Sequence, residues 1–296
     1  MEGTYFMVVT QVKSPLKWIG GKYASAERIV STFPDSSTYD RYVEVCGGAA
    51  HVLMCKPPYD HEEVYNDLDD NLVTFWQQMQ KDARALGERL EGLPYARKVY
   101  YEFYRSLFDG TELESLERAA RWFYCLRSTG IGWLRKSPVG WNPLINNVKS
   151  YYSAIDVFQA VQERLKYTVI DNRDVLKSIR RYDTPRTLFY IDPPYFGTEY
   201  YYEPSKKGFP HQELANLLQS IQGYAVVSYY PHESLDLWYP ESQWHRITWQ
   251  QLKHSQVQCE TRPKLDIATE MLLLNYQPVV KPTAIQLWSN TVESEG

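Results

Sequence analysis

A four-residue segment combines groups that could hold a planar amine: Asp192, Pro193, Pro194 and Tyr195. It directly follows the apolar run 188–191, which places it at the carboxyl end of a predicted strand, where open α/β sheets build their sites. The Asp192 carboxylate and the Pro193 carbonyl could each accept one N–H bond and draw the nitrogen lone pair out of the ring. Two prolines fix the backbone, and the Tyr195 ring could stack on a flipped base. Taken alone, the segment is equally well explained as a turn that ends a strand.

A second group of candidate residues lies near the N-terminus. In segment 15–22, a double glycine stands between Trp18 and Lys22. A Gly-Gly backbone lets a ligand approach closely, the indole offers a face to a purine or a sulfonium, and Lys22 could bind a carboxylate. By itself, this segment is better explained as an ordinary turn.

Three further strand ends carry residues suited to a nucleotide-like ligand. Gly47 and Gly48 follow the strand signal 43–45, a shape typical of a loop that admits a cofactor, although the full Gly-x-Gly-x-x-Gly pattern is absent. About twenty residues later, Asp67 ends the second strand, where a carboxylate accepts from both ribose hydroxyls of an adenosine. Asp174 could reach an adenine amino group at the third strand end, but helix capping explains it equally well.

Alternating strand and helix signals must position these residues. Strands are predicted at 42–46, 63–66, 167–170, 187–191, 224–229, 244–249 and 270–276, and helices at 24–32, 70–80 and 212–221. This alternation predicts an α/β sheet with crossover helices. Residues 72–150 interrupt it, because they are helical to about 126 and then rich in Gly, Pro, Trp and Asn. We interpret them as a mainly helical insertion into a domain of residues 1–71 and 151–296.

Charge is distributed unevenly along the 296 residues. The net charge is −4, which argues against a protein that coats nucleic acid indiscriminately. Segment 118–150 nevertheless holds six basic residues and no acidic one: Arg118, Arg121, Arg127, Arg135, Lys136 and Lys149. A basic segment on an acidic body predicts a phosphate-binding surface. A solvated loop is the alternative.

Taken together and in order, these segments resemble the motifs of the Dam-like DNA adenine-N6 methyltransferases. The resembling segments are 16–22, 43–50, 66–67, 192–195, 225–230, Lys264 and 269–276, so the resemblance spans nearly the whole chain. Cys46 stands where an aromatic residue is usual in that family, and Ala50 and His51 stand where Gly and Ser are common.

The resemblance implies a fold, a cofactor and site residues. The fold is a Rossmann-like class I methyltransferase sheet of seven mostly parallel strands, the last one antiparallel. The cofactor is S-adenosylmethionine, contacted by Trp18, Lys22, Asp67 and Asp192. The catalytic loop that holds the adenine is 192–195, and the insertion becomes a target-recognition domain.

Segment 127–136 resembles the family's recognition hairpin only loosely, so the DNA sequence that it reads is left open. We expect DNA contacts from Arg127, Trp133, Arg135 and Lys136, because Arg bonds bidentately to guanine and Trp can wedge into a base stack.

Two alternatives remain open at this point. The same loop chemistry suits an amino group of RNA or protein, and a catalytically inactive DNA-binding relative would keep the fold. An insertion rich in Arg and Trp favours a base, and the complete segment 192–195 argues against lost activity. The role in restriction protection, regulation or phage defence is not indicated.

The four cysteines are scattered and none forms a Cys-x-x-Cys pair, so we expect reduced thiols and no metal. No apolar run approaches the length of a membrane helix. We therefore expect a protein of the cytosol of a bacterium, an archaeon or a phage-infected host. DNA is the expected partner. The sequence is compatible with a monomer and leaves the oligomeric state open.

Overall fold

Strands and helices follow each other in the order that the sequence predicts. The computed structural model describes residues 12–58, 62–130, 132, 134, 146–205, 208–252 and 266–278. The strands are β1 (Arg41–Val45), β2 (Glu62–Asn66), β3 (Thr168–Asp171), β4 (Thr187–Ile191), β5 (Tyr224–Tyr229), β6 (His245–Leu252) and β7 (Ile267–Leu274). The helices are α1 (Ala26–Ser31), α2 (His51–Cys55), α3 (Asp70–Glu91), α4 (Arg97–Phe108), α5 (Ser115–Ser128), α6 (Asn147–Ile155), α7 (Phe158–Leu165), α8 (Val175–Tyr182), α9 (His211–Leu218) and α10 (Glu233–Trp238).

Seven strands within the described residues form one sheet in the order β3-β2-β1-β4-β5-β7-β6. The pairs from β3 to β5 are parallel, and β7 pairs antiparallel with both β5 and β6. Only β7 therefore runs against the others, which confirms the predicted seven-stranded, mostly parallel sheet with its last strand reversed. The order changes direction between β1 and β4, and such a switch point is where open sheets form their crevice.

The two faces of the sheet pack into two apolar clusters. Leu188 and Tyr190 of β4 join the cluster to which α1 to α7 contribute, whereas Phe189 and Ile191 join the cluster to which α8 to α10 contribute. All five residues of β4 are buried, as expected of a strand with helices on both faces. Burial on both sides explains why β4 is a continuous apolar run.

The helical insertion lies between β2 and β3 and shares its core with the sheet. Phe75 and Trp76 of α3, and Trp122 and Phe123 of α5, belong to the same apolar cluster as Tyr42 of β1. The predicted boundaries, 72 and 150, fall inside α3 and α6. The insertion therefore packs as one layer of the fold on that face of the sheet.

Helix α3 is longer than the predicted 70–80. It continues to Glu91 through a non-helical Asp82 (φ −159°, ψ 81°). The Asp82 carboxylate accepts from the backbone N–H of Ala85 at 2.9 Å, which caps the helix a second time after the break. The apolar pattern resumes beyond that break, so the sequence signal covered only the first half.

Candidate active site

The ends of β1 and β4 bring two of the predicted segments together. Val45 pairs with Ile191 in the parallel register, and the Asp192 N–H donates to the Val45 carbonyl at 3.1 Å. The next residues, Cys46 and Asp192, therefore leave the sheet side by side. The glycine loop and the Asp-Pro-Pro-Tyr segment meet at the carboxyl edge, as the sequence predicts.

The glycine loop is held in a left-handed conformation. Cys46, Gly48 and Ala50 have φ of 57°, 50° and 54°, which is costly for the two residues with a Cβ. The Gly48 carbonyl accepts from the Tyr65 hydroxyl at 2.7 Å and from Trp76 Nε1 at 3.2 Å. These two bonds brace the loop from β2 and α3, and they offset part of the strain.

Asp67 is anchored below this loop. Its Oδ2 accepts from the Gly48 N–H at 3.0 Å, and its Oδ1 accepts from the Asp69 N–H at 2.9 Å. Burial raises the pKa of Asp67, against the lowering effect of these backbone donors. Each oxygen still has a lone pair for another donor, so the carboxylate is fixed and can accept from a diol.

Asp174 caps the following helix, the alternative that the sequence left open. Its Oδ1 accepts from the N–H groups of Leu176 and Lys177 at 3.0 and 3.3 Å, yet the residue also lines the central cavity. The Asn66 side chain bridges this loop to β2, because it donates to the Arg173 carbonyl at 3.0 Å and accepts from the Arg173 N–H at 2.9 Å. Capping therefore does not exclude a ligand contact.

Asp192 and Lys22 form a largely buried ion pair. Lys22 Nζ lies 2.8 Å from Asp192 Oδ1, and it also donates to the Gly20 carbonyl at 2.9 Å. Burial raises the pKa of Asp192 to about 6, although the Lys22 ammonium pulls it down. Burial lowers the pKa of Lys22, but Asp192 and Glu270 outweigh it and the net pKa is raised.

Tyr195 packs beside this pair. Its ring lies 4.9 Å under Lys22 Nζ and edge-on against Tyr230 at 4.5 Å. Its hydroxyl donates to Glu270 Oε2 at 2.9 Å, and the residue is 8% exposed. In this arrangement the ring supports Lys22, and its predicted role as a stacking platform stays a prediction.

The N-terminal segment closes over the glycine loop. A Cβ added at Gly48 would lie 2.6 Å from Trp18 Nε1, and one at Gly132 would lie 2.5 Å from the Lys17 carbonyl oxygen. The Trp18 ring is also 6.1 Å from Trp122 of α5. Close packing at both glycines thus brings Trp18 from the N-terminal segment next to the loop and to the helical insertion.

One cavity of about 640 Å³ joins these elements. Its lining includes the predicted residues Trp18, Lys22, Gly47, Gly48, Asp67, Asp174, Asp192 and Pro194. This volume is in the range of small-molecule sites. The structure therefore brings together residues from five separate parts of the sequence.

Three of the four basic residues that the structure describes in segment 118–150 are engaged within the protein. Arg118 pairs with Asp70 at 2.7 Å, and Arg121 pairs with Glu117 at 2.6 Å. Arg127 Nη2 donates to the Ser150 carbonyl and hydroxyl at 2.6 and 2.8 Å. The Arg127 guanidinium thus ties α5 to α6, and its expected DNA contact stays a prediction. Trp133, Arg135 and Lys136 lie outside the described residues.

Two residues of the site had no assigned role in the sequence. Tyr202 lines the cavity, and its hydroxyl donates to the Ile19 carbonyl at 3.1 Å, so the segment after the catalytic loop reaches the N-terminal segment. Glu270 lies inside the motif 269–276, but spacing along the chain does not indicate its contact with Tyr195. For Tyr202, the cluster of tyrosines at 200–202 was the available signal.

Metal-binding clusters and membrane-spanning helices are both absent from the described part of the chain. It contains no group of three or more His, Cys, Asp or Glu side chains placed to hold a metal ion. Its helices are all too short or too polar to cross a membrane.

Comparison with known families agrees with this geometry. A model for the D12 class of N6 adenine-specific DNA methyltransferases matches residues 18–252. The matched range contains the glycine loop, Asp67, Asp174 and the segment 192–195. No curated protein matches the chain.

Proposed function

Because the chain belongs to the D12 class of N6 adenine-specific DNA methyltransferases, we propose that the cavity at the carboxyl edge of the sheet is its active site. Members of this class transfer a methyl group from S-adenosylmethionine to adenine N6 in DNA. The observation that carries the proposal is the position of Asp192, which leaves β4 beside the glycine loop and lines the same cavity.

The cofactor residues that we propose are Trp18, Lys22, Gly47, Gly48, Asp67, Asp174 and Asp192. Asp67 suits a ribose, because both carboxylate oxygens are fixed by backbone donors and keep free lone pairs. A Cβ at Gly48 would collide with Trp18, so only glycine keeps the loop and the indole this close. The cavity, the diol acceptor and the indole face together fit S-adenosylmethionine.

When bound, S-adenosylmethionine supplies an electrophilic methyl group on a cationic sulfur. The chain's own residues orient the nitrogen that receives it. Asp192 and the Pro193 carbonyl each accept a hydrogen bond from one of the two N6–H groups of an adenine flipped out of the duplex. The lone pair of N6 is then directed at the methyl group. Pro194 fixes the backbone angle φ at its position, and the Tyr195 ring stacks on the base.

This transfer requires no covalent bond to the enzyme. Burial raises the pKa of the Cys46 thiol well above its usual range, and the carboxylates of Asp67 and Asp192 raise it further. The thiol is therefore protonated at neutral pH and is a poor nucleophile. We also propose that no metal takes part and that the enzyme works in the cytosol.

The DNA-facing residues that we propose are Trp133, Arg135 and Lys136, with Lys149 at an exposed position of α6. Arg118, Arg121 and Arg127 are engaged in contacts within the protein, so the phosphate-binding surface is smaller than the segment's charge indicates. The base sequence that is read does not follow from these residues.

The proposal is tested by incubating the purified protein with unmethylated plasmid and S-adenosylmethionine, and then measuring N6-methyladenine in the digested DNA by mass spectrometry. We expect Asp192→Ala to abolish methylation. The exposed carboxylate of Glu241 provides the control, and Glu241→Ala should methylate normally. Full activity of Asp192→Ala would refute the assigned site. No methyladenine from the wild type, with cofactor still bound, would move the proposal to an amino group of RNA or protein.

A further inference from the structure

Glu270 is a buried carboxylate on β7 that faces the catalytic loop. It is 5% exposed and pairs with Trp249 of β6 in the antiparallel register. Its Oε2 accepts the Tyr195 hydroxyl hydrogen at 2.9 Å, and both groups are buried. Because a carboxylate is costly to bury unless its oxygens find donors, the Tyr195 hydroxyl is a partner that Glu270 needs.

Two carboxylates act on Lys22, Asp192 by direct contact and Glu270 through its charge. Its Nζ contacts Asp192 Oδ1 at 2.8 Å and stands 4.9 Å above the ring whose hydroxyl Glu270 holds. Both carboxylates act on Lys22 strongly enough to overcome the effect of its burial. The charge of Lys22 is therefore shared between the catalytic loop and β7.

Beyond Tyr195 the loop continues into a turn, and the next ring, Phe196, stacks on His211 and His232 at 4.2 and 4.1 Å. Tyr195 begins a turn, because its carbonyl accepts from the Thr198 N–H at 2.9 Å. Gly197 in this turn has a φ of 75°, and a Cβ added there would meet no atom within 4 Å. The hydroxyl bond to β7 is thus a polar tie between the end of the loop and the sheet.

We propose that Glu270 is a positioning residue for methyl transfer. It fixes the Tyr195 ring against the sheet and takes part of the Lys22 charge, which leaves the Asp192 carboxylate available to the target amine. This inference rests on the proposed roles of Asp192 and Tyr195. Glu270 itself acts through these residues and has no direct contact with substrate in the proposal.

The charge on Glu270 also acts on Asp192. Burial raises the pKa of Asp192, Lys22 lowers it, and Glu270 raises it again. Other titratable groups that interact with Asp192 are Glu44, Cys46, Tyr190, Tyr195, Tyr202, Tyr229 and Tyr230. Removal of the Glu270 charge therefore lowers the pKa of Asp192 and extends activity to lower pH.

The test compares Glu270→Gln, Glu270→Ala and Tyr195→Phe. Glutamine keeps an acceptor for the Tyr195 hydroxyl and loses the charge, whereas the other two variants lose the hydrogen bond. Tyr182→Phe is the matched control, because its hydroxyl donates to Asp171 at 2.8 Å, a tyrosine–carboxylate bond that does not line the cavity. Each variant is measured for kcat, KM, the pH profile, and cofactor affinity by calorimetry.

We expect Glu270→Ala and Tyr195→Phe to lower kcat by about tenfold or more, because even a small misplacement of the loop slows the reaction. Cofactor affinity should stay unchanged, since Asp67 and the glycine loop are intact. Glu270→Gln should keep most of kcat while its acid limb moves to lower pH. The double variant Glu270→Gln/Tyr195→Phe should lower kcat no more than Tyr195→Phe alone.

Unchanged kcat in Tyr195→Phe, or an acid limb in Glu270→Gln at the wild-type pH, would overturn the inference. These two variants decide the question even if Glu270→Ala does not fold. An inactive Asp192→Ala together with normal Glu270 variants would refute only the role of Glu270. An active Asp192→Ala would refute the proposed site as well.

Discussion

Asp192 is the residue at which the electrostatics of the site converge. In the proposed mechanism its carboxylate accepts a hydrogen bond from the target amine, and the ionised form is the stronger acceptor. Burial raises its pKa to about 6 and Lys22 opposes that shift. Activity should therefore be retained above this pH and lost as the pH falls below it.

We expect kcat/KM to fall about tenfold per pH unit below roughly pH 6, as one essential carboxylate takes up a proton. Lys22→Met removes the cation that lowers this pKa, so its acid limb should move to higher pH. The check is a profile of kcat/KM from acidic to neutral pH for both proteins. An identical limb in both would show that Lys22 does not control Asp192.

Asp67 allows a prediction on cofactor binding. Each hydrogen bond to a charged group is worth about 1.5–3 kcal/mol, so Asp67→Ala should weaken S-adenosylmethionine binding by about tenfold to a hundredfold. Calorimetric titration measures the dissociation constant directly. Wild-type affinity in this variant would remove Asp67 from the proposed ribose site.

At the scale of elements, the glycine loop combines backbone strain with a close contact. Gly48 has a φ of 50°, and an added Cβ would lie 2.6 Å from Trp18 Nε1. Gly110 has a φ of 84° and no atom within 4 Å of such a Cβ. Both glycines have a left-handed backbone, but only at Gly48 would an added Cβ collide with a neighbouring side chain.

Both Gly48→Ala and Gly110→Ala should lose about 1–2 kcal/mol of unfolding free energy from left-handed backbone. Gly48→Ala should in addition displace Trp18 and weaken cofactor binding. Thermal unfolding and calorimetry separate the two effects. Equal cofactor affinity in the two variants would mean that the contact between Gly48 and Trp18 does not shape the site.

Strand elements were predictable because their sequence signal is local. The runs in β4 and β5 are buried on both faces, and each coincides with a predicted strand at both ends. The residues that cap or brace the loops were harder to predict from the sequence. Tyr195 and Glu270 are 75 residues apart, and only the pairing order β4-β5-β7 brings them together.

The site was predictable to a similar degree. Residues at strand ends converge because parallel strands present their carboxyl ends at one edge, which explains why Asp67 and Asp192 line the same cavity. The sequence did not indicate that Arg127 donates to Ser150 within the protein, and its expected DNA contact stays a prediction. A charge count along a segment cannot separate buried cations from exposed ones.

At the scale of the whole molecule, a net charge of −4 makes DNA binding depend on a small basic surface. Removing one cation from a phosphate should reduce the slope of log K against log salt by about one. Arg135→Ala/Lys136→Ala should therefore bind duplex DNA more weakly and with a shallower salt dependence. Titrations at several salt concentrations test this, and an unchanged slope would exclude both residues from phosphate binding.

The helical insertion and the glycine loop are in direct contact. Trp76 of α3 donates to the Gly48 carbonyl, and Trp122 of α5 lies against Trp18. A DNA-induced shift of these helices would change the hydrogen bond and the ring contact that shape the glycine loop. Thermodynamic linkage then requires reciprocity: whatever factor DNA applies to cofactor affinity, the cofactor applies to DNA affinity. Any coupling between DNA and the cofactor would therefore act through the contacts of these two tryptophans.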